Sequence, residues 1–202
     1  MTTPQTGIGR PPTISTAPSR SLKHHTSVLI KPTSSRCNLN CTYCFYLSKM
    51  EMYPWKDHPK LSLETFEAFV GEYTTLSSPL LSYIWQGGEP TIMGLPFFEE
   101  AVELQLRYSR KANPTSPPLV SNSMQTNATM LNDDWARFLK ERNFLVGVSL
   151  DGPPELHDRH RRDWSDRGTF DRVMAGIDSL RGIDTTQRGR PRSIAADGSR
   201  RP

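Results

Sequence analysis

Cysteine is scarce in this chain of 202 residues: there are three, and none follows position 44. One disulfide with an odd thiol is the most that bridging could supply, so a disulfide-stapled secreted scaffold is excluded. Long apolar runs are also absent. None approaches the roughly 18 residues needed to span a bilayer, and residues at the N-terminus lack the apolar stretch of a signal peptide. Both absences point to a reducing cytoplasm and to no membrane partner. An excess of one charge is nearly absent too. Of the formal net charge of +4, residues 182–202 supply +3, with five Arg against two Asp. The remainder is close to neutral and makes no case for nucleic acid.

Apolar content is low, at 35%, and two tails account for part of that. Residues 1–22 are rich in Thr, Pro, Ser and Gly. Too little apolar area is present there to offset the entropy of ordering, so a disordered tail is expected, with a short functional arm as the alternative. Residues 182–202 are expected to be a second, basic disordered tail, which leaves 23–181 as the core.

The scarce cysteines are clustered. Cys37, Cys41 and Cys44 stand within eight positions, spaced C-x3-C-x2-C in a loop containing Asn38, Asn40 and Thr42. Thiolates at this spacing can converge from one loop on an iron–sulfur cluster. A cluster of four irons held by three cysteines keeps one iron open for a small ligand, by the logic of open metal sites. Three readings stand beside this one: small buried apolar cysteines, a disulfide with a spare thiol, and zinc with His24 or His25 as fourth ligand. The first suits a polar loop poorly. The last lacks a paired C-x2-C or H-x3-H.

Around this loop the chain alternates strand and helix. Val28–Pro32 reads as a buried strand and leads into the cysteines. Ser62 caps a helix with Phe66, Phe69, Val70 and Tyr73 on one face. Leu81–Trp85 is a strand ending in Gln86-Gly87-Gly88-Glu89-Pro90. A helix from about Pro96 carries Phe97, Ala101, Leu104 and Tyr108. Leu119–Gln125 is a weaker strand ending in Thr126-Asn127-Ala128, and a helix near Asn132 follows. Phe144–Leu150 is the clearest strand, closed by Asp151-Gly152-Pro153. A charged loop with Arg159, Arg161, Arg162, Asp163 and Asp166 precedes a helix from about Thr169. Four strand–helix units in alternation imply an α/β fold with a parallel sheet and helices outside it. Each unusual segment follows the C-terminal end of a strand, where βα barrels carry their active sites.

The string CNLNCTYCFYLSK, with WQGGEPT, SMQTNAT and SLDGP, resembles the radical S-adenosylmethionine (SAM) enzymes. Within them it is most similar to the anaerobic sulfatase-maturating branch, over about residues 25–181. The resemblance implies a partial (β/α) barrel, a 4Fe–4S cluster on Cys37, Cys41 and Cys44, and SAM on the open iron. Further roles follow from it. Tyr43 covers the adenine, or shields the cluster from water. Gln86, Gly87, Gly88 and Glu89 receive the SAM amino group, where glycines allow close backbone approach. Ser149 and Arg161 meet its carboxylate, with Arg162 a competitor for the guanidinium fork. Gln125 and Asn127 orient the ribose or a substrate peptide. The implied chemistry is reductive SAM cleavage to a 5′-deoxyadenosyl radical that takes a hydrogen atom from a Cys or Ser of a sulfatase, giving formylglycine. An electron donor such as a flavodoxin or ferredoxin is implied as partner.

Two departures stand out. Family members often have glycine where this chain has Ala128; if the position needs positive φ, alanine costs about 1 kcal/mol. The chain also spends residues 27–181 on four units, whereas the family's partial barrel has six. Residues 182–202 lack apolar periodicity and are not expected to form a fifth strand. The late base and the auxiliary-cluster cysteines of the branch are expected to be missing, as after truncation or a frameshift. A cluster-binding but inactive fragment is therefore one alternative. A maturase of another ribosomal peptide is a second.

Overall fold

The computed structural model describes residues 26–50, 60–76, 78–182 and 195–196. Its centre is a parallel sheet of β1 (Thr26–Ile30), β2 (Leu80–Trp85), β3 (Leu119–Thr126), β4 (Leu145–Val148) and β5 (Ala195–Ala196), in that spatial order. Consecutive strands are neighbours throughout. A doubly wound sheet would reverse its strand order partway; this one accumulates in one direction, as a barrel wall does. Helices α1 (Leu47–Met50), α2 (Leu63–Thr74), α3 (Leu95–Ala112), α4 (Asp133–Glu141), α5 (Pro154–His160) and α6 (Phe170–Gly182), with a short 3-10 helix at Pro90–Met93, complete the described fold.

Local chemistry explains the element boundaries. Ser62 caps α2 by accepting from the Thr65 N–H at 3.1 Å, and Asn132 caps α4 by accepting from Trp135 at 3.0 Å. Side-chain alternation then divides the sheet into two faces. On β2, Leu81, Tyr83 and Trp85 are buried, while Leu80, Ser82 and Ile84 are only partly covered. The buried face packs on Phe66 and Val70 of α2, Phe97, Phe98 and Ala101 of α3, Trp135 and Phe138 of α4, and Val173 and Ile177 of α6. Trp85 anchors this core, its ring 5.1 Å from Phe98 and 5.3 Å from Phe66. Opposite lies a row formed by the registers Leu29–Ile84, Ile84–Ser123 and Ser123–Leu145, whose end residues Leu29 and Leu145 are exposed.

The polar character that weakens β3 as a sequence pattern has a structural cause. Asn122 points into the core, where its Oδ1 accepts from Trp85 Nε1 at 2.8 Å and Gln105 Nε2 at 3.1 Å, and its Nδ2 donates to Gln105 Oε1 at 2.7 Å. A buried amide is tolerated because its hydrogen bonds are satisfied.

Three sequence expectations are corrected. Ala195–Ala196 does form a fifth strand, pairing in parallel with Gly147–Val148. Two residues of ladder need only backbone groups, so no apolar period announces them. The segment after β4 is not all loop, since Pro154–His160 is helical. The strand expected over 144–150 is shorter, at Leu145–Val148. The expected tail at 1–22 and the residues His24 and His25 lie outside the described residues.

Candidate functional site

The four strand ends meet in one place. Beyond β1 runs the cysteine loop, beyond β2 the Gly-Gly-Glu turn, beyond β3 Asn127 to Thr129, and beyond β4 Ser149 to Asp151. Together they line a cavity of about 340 Å³. All twelve residues singled out from sequence border it: Cys37, Cys41, Cys44, Tyr43, Gln86, Gly87, Gly88, Glu89, Gln125, Asn127, Ser149 and Arg161. Arg162 does not. Its Nε donates to the Asp158 carbonyl at 2.8 Å and its Nη1 pairs with Asp166 at 2.9 Å. Of the two arginines left open from sequence, Arg161 alone borders the cavity.

The cysteine loop is held from two sides. On one, Gly88 N donates to Ser34 O at 2.8 Å and Glu89 N to Arg36 O at 2.9 Å. The approach is so close that a Cβ on Gly88 would lie 1.9 Å from the Arg36 carbonyl oxygen. Gly87 has φ +136°, a value open to glycine and strained for other residues. On the other side, Asn40 N donates to Arg162 O at 2.7 Å, Thr42 N to His160 O at 2.9 Å, and Trp164 Nε1 to Cys37 O at 3.0 Å.

The three cysteines are free thiols. Burial pushes the Cys37 thiol up to about 12, although the Leu39 N–H opposes the shift. Cys41 is raised by burial as well, against the pull of Arg161. Thiols so desolvated ionise when a metal supplies the compensating charge. Among the described residues no three His, Cys, Asp or Glu side chains form a single-ion site. Three thiols set around a cavity suit a multi-iron cluster better than a zinc ion, whose four ligands close tightly on one point.

Arg161 is buried and reaches across the mouth. Its Nη1 donates to the Tyr43 hydroxyl at 2.6 Å and stands 4.0 Å from Asp151 Oδ1, while its Nε is buried without a protein partner. Tyr43 also donates to Asp151 Oδ2. Burial, followed by that bond to Asp151, raises the Tyr43 phenol and keeps it neutral. A guanidinium bordering a cavity suits an anionic ligand group.

Glu89 is wholly buried, and its carboxylate is engaged by the protein. Oε1 accepts from Thr91 N at 3.0 Å, Thr91 Oγ1 at 2.7 Å and Thr126 Oγ1 at 2.8 Å; Oε2 accepts from Asn127 N at 2.7 Å. Burial raises its pKa, with the four donors opposing. The side chain therefore ties the end of β2 to the end of β3. Gln125 Nε2 donates to Ser149 Oγ at 3.0 Å, joining β3 to β4 in the same way.

Sequence reasoning missed Asp151 and His157 as parts of the site. His157 is fully buried; Asp151 N donates to its Nδ1 at 3.4 Å, so Nε2 carries the proton and faces Thr169 Oγ1 at 3.1 Å. Thr169 Oγ1 donates on to Arg161 O at 2.8 Å. One neutral imidazole thus sets both Asp151 and Arg161.

Comparison with known proteins agrees with this geometry. Residues 32–187 match the family model described as Radical SAM superfamily. The chain is 41% identical over 157 residues to a serine-type anaerobic sulfatase-maturating enzyme of Bacteroides thetaiotaomicron, covering 76% of this chain and 36% of that protein. It is 43% identical over 147 residues to a cysteine-type enzyme of Clostridium perfringens, covering 73% and 38%. A solved structure of native anSMEcpe with bound AdoMet superposes with a TM-score of 0.68 at 41% identity, over 78% of this chain and 41% of that one. The same protein with AdoMet and the Cp18Cys peptide gives 0.67 at 40% identity, over 78% and 40%. The chain spans about two fifths of the length of the relatives it matches.

Proposed function

Since this chain belongs to the radical SAM superfamily, we propose that it serves the oxidation of a sulfatase Cys or Ser to formylglycine. A 4Fe–4S cluster and SAM are the cofactors. Cys37, Cys41 and Cys44 would hold the cluster, and the Gly87–Gly88 backbone, Ser149 and Arg161 would hold SAM. Together the two supply, when bound, one-electron cleavage of SAM and removal of a hydrogen atom from substrate. The rest is positioning by this chain. Arg161, fixed by Tyr43 and His157, would offer its guanidinium, which borders the cavity, to a carboxylate. Gly88 brings the β2 turn against the cysteine loop. Tyr43, Phe45 and Tyr46 border the mouth and limit water. The electron would come from a flavodoxin or ferredoxin.

The observation that carries this reading is the convergence of four strand ends, three of them bearing residues assigned to a cofactor, on one cavity lined by three free thiols. The relatives matched over this same span are named as sulfatase-maturating enzymes, which supports the substrate.

The test is anaerobic reconstitution with iron and sulfide, then reductant, SAM and a sulfatase peptide. Formation of 5′-deoxyadenosine and of a peptide aldehyde, both lost in Cys41→Ala, is expected. SAM cleavage with no aldehyde would point to another ribosomal peptide. A loaded cluster with no SAM cleavage would reduce the chain to a cluster-binding fragment. Failure to take up iron would overturn the reading.

A further inference from the structure

Asn127 follows directly on the last residue of β3, and its backbone N–H is anchored on Glu89. Its side-chain amide is oriented by an obligate donor. Thr129 N bonds Asn127 Oδ1 at 3.0 Å, and the Thr129 hydroxyl adds a second bond at 2.8 Å. A carboxamide fixed at its oxygen must turn its NH₂ the other way. There Nδ2 meets two acceptors of the cysteine loop, Asn38 Oδ1 at 2.8 Å and Cys37 Sγ at 3.7 Å. Asn38 Nδ2 donates back to Thr129 Oγ1 at 2.8 Å and closes the ring. Asn127 is 5% exposed, so water competes little for these bonds.

Cys37 Sγ thus receives two N–H groups, one from Leu39 within its own loop at 3.3 Å and one from the neighbouring strand end. An N–H···S bond withdraws electron density from a thiolate. It favours the more negative, reduced state of a cluster and so raises its potential. Resting on the reading that Cys37 ligates the cluster, we infer that Asn127 is a positioning residue that donates an N–H···S bond to Cys37 and raises the reduction potential of the cluster. The effect eases electron entry from a donor, before any substrate is engaged.

The experiment compares wild type, Asn127→Ala and Asn127→Asp after anaerobic reconstitution. Iron and sulfide are quantified, and the cluster is titrated without SAM, followed by its EPR signal. Asp keeps the size of Asn but replaces the donor with an acceptor. The expected result is a lower midpoint in both variants. For Asn127→Asp, the ratio of reduced to oxidised cluster at the wild-type midpoint should fall about tenfold, which is 59 mV for a one-electron couple. A midpoint that fails to fall in either loaded variant overturns the inference. Loss of iron from both variants, in chains that melt like wild type, also overturns it, because Asn127 would then govern loading and not potential. A wild type that takes up no iron overturns this inference and the functional reading together; a loaded wild type with unmoved variants overturns the inference alone.

Discussion

Arg161 donates to the Tyr43 hydroxyl at 2.6 Å, across 118 residues of chain. The contact joins the cysteine loop to the segment after β4 and holds the Arg161 guanidinium at the cavity wall. Arg162, one residue on, is held outside by Asp158 and Asp166. Arg161→Ala should therefore weaken SAM binding at least tenfold, the roughly 1.5–3 kcal/mol of hydrogen bonds to a charged group. Arg162→Ala should change it less than twofold. Equilibrium dialysis with labelled SAM on reconstituted protein distinguishes them. Equal losses in the two variants would remove Arg161 from the role.

Gly88 is required by contact, not by backbone angle. An added Cβ would sit 1.9 Å from Arg36 O, 2.4 Å from Arg36 C and 2.7 Å from Ser35 C, all backbone atoms that cannot rotate away. Gly88→Ala must push the cysteine loop off the β2 turn, at a cost of about 1–3 kcal/mol or more. Gly71→Ala meets only the Tyr108 side chain, at 3.3 Å. It should stay within about 1 kcal/mol of wild type, helped by the higher helix propensity of alanine. Denaturant melts of the two variants test the contrast, and an undisturbed Gly88→Ala melt would refute the packing argument.

The Glu89 carboxylate is surrounded by donors alone, two of them backbone N–H groups that cannot reverse. Glu89→Gln would aim an amide N–H at the Asn127 or Thr91 N–H and leave a buried donor unpaired. A loss of about 1–3 kcal/mol in unfolding free energy is expected, measured by denaturant titration. A variant as stable as wild type would mean that the turn does not depend on this anion.

Much of this architecture is legible in the sequence because it is written in local patterns. The strand ends announce themselves by apolar runs stopped at Cys-loop, Gly-Gly-Glu, Asn-Ala and Asp-Gly-Pro segments, and periodicity places all four on one rim. Even Ala128 signalled its backbone: it has φ +59°, the strained value that a glycine would take freely. What was not legible arises between distant segments. Asp151 reads as a turn residue until His157 and Arg161 are brought beside it. Helix α5 is seven residues with one buried side chain, too short for a periodic signal, although Pro154 at its start and Glu155 in its first turn are helix-start markers. The bond from Trp164 to the Cys37 carbonyl spans 127 residues and has no local trace.

His157 makes the stability of this rim depend on pH in a defined direction. Burial, then the nearby Arg161 charge, lowers its pKa below the ordinary histidine value. Its Nδ1 must stay unprotonated to accept from Asp151 N. As pH falls below about 6.5, the unfolded chain therefore binds the proton before the folded chain does. The stability contributed by the neutral ring is complete above that pH and is lost as pH falls through the folded pKa, at up to about 1.4 kcal/mol per pH unit. Unfolding free energies measured between pH 7.5 and about 5 should decline for wild type. In His157→Gln, which cannot titrate, the decline should be shallower by up to that slope. Parallel curves for the two proteins would show that His157 binds its proton equally in both states, and the neutral link from Asp151 to Arg161 would then have to be abandoned.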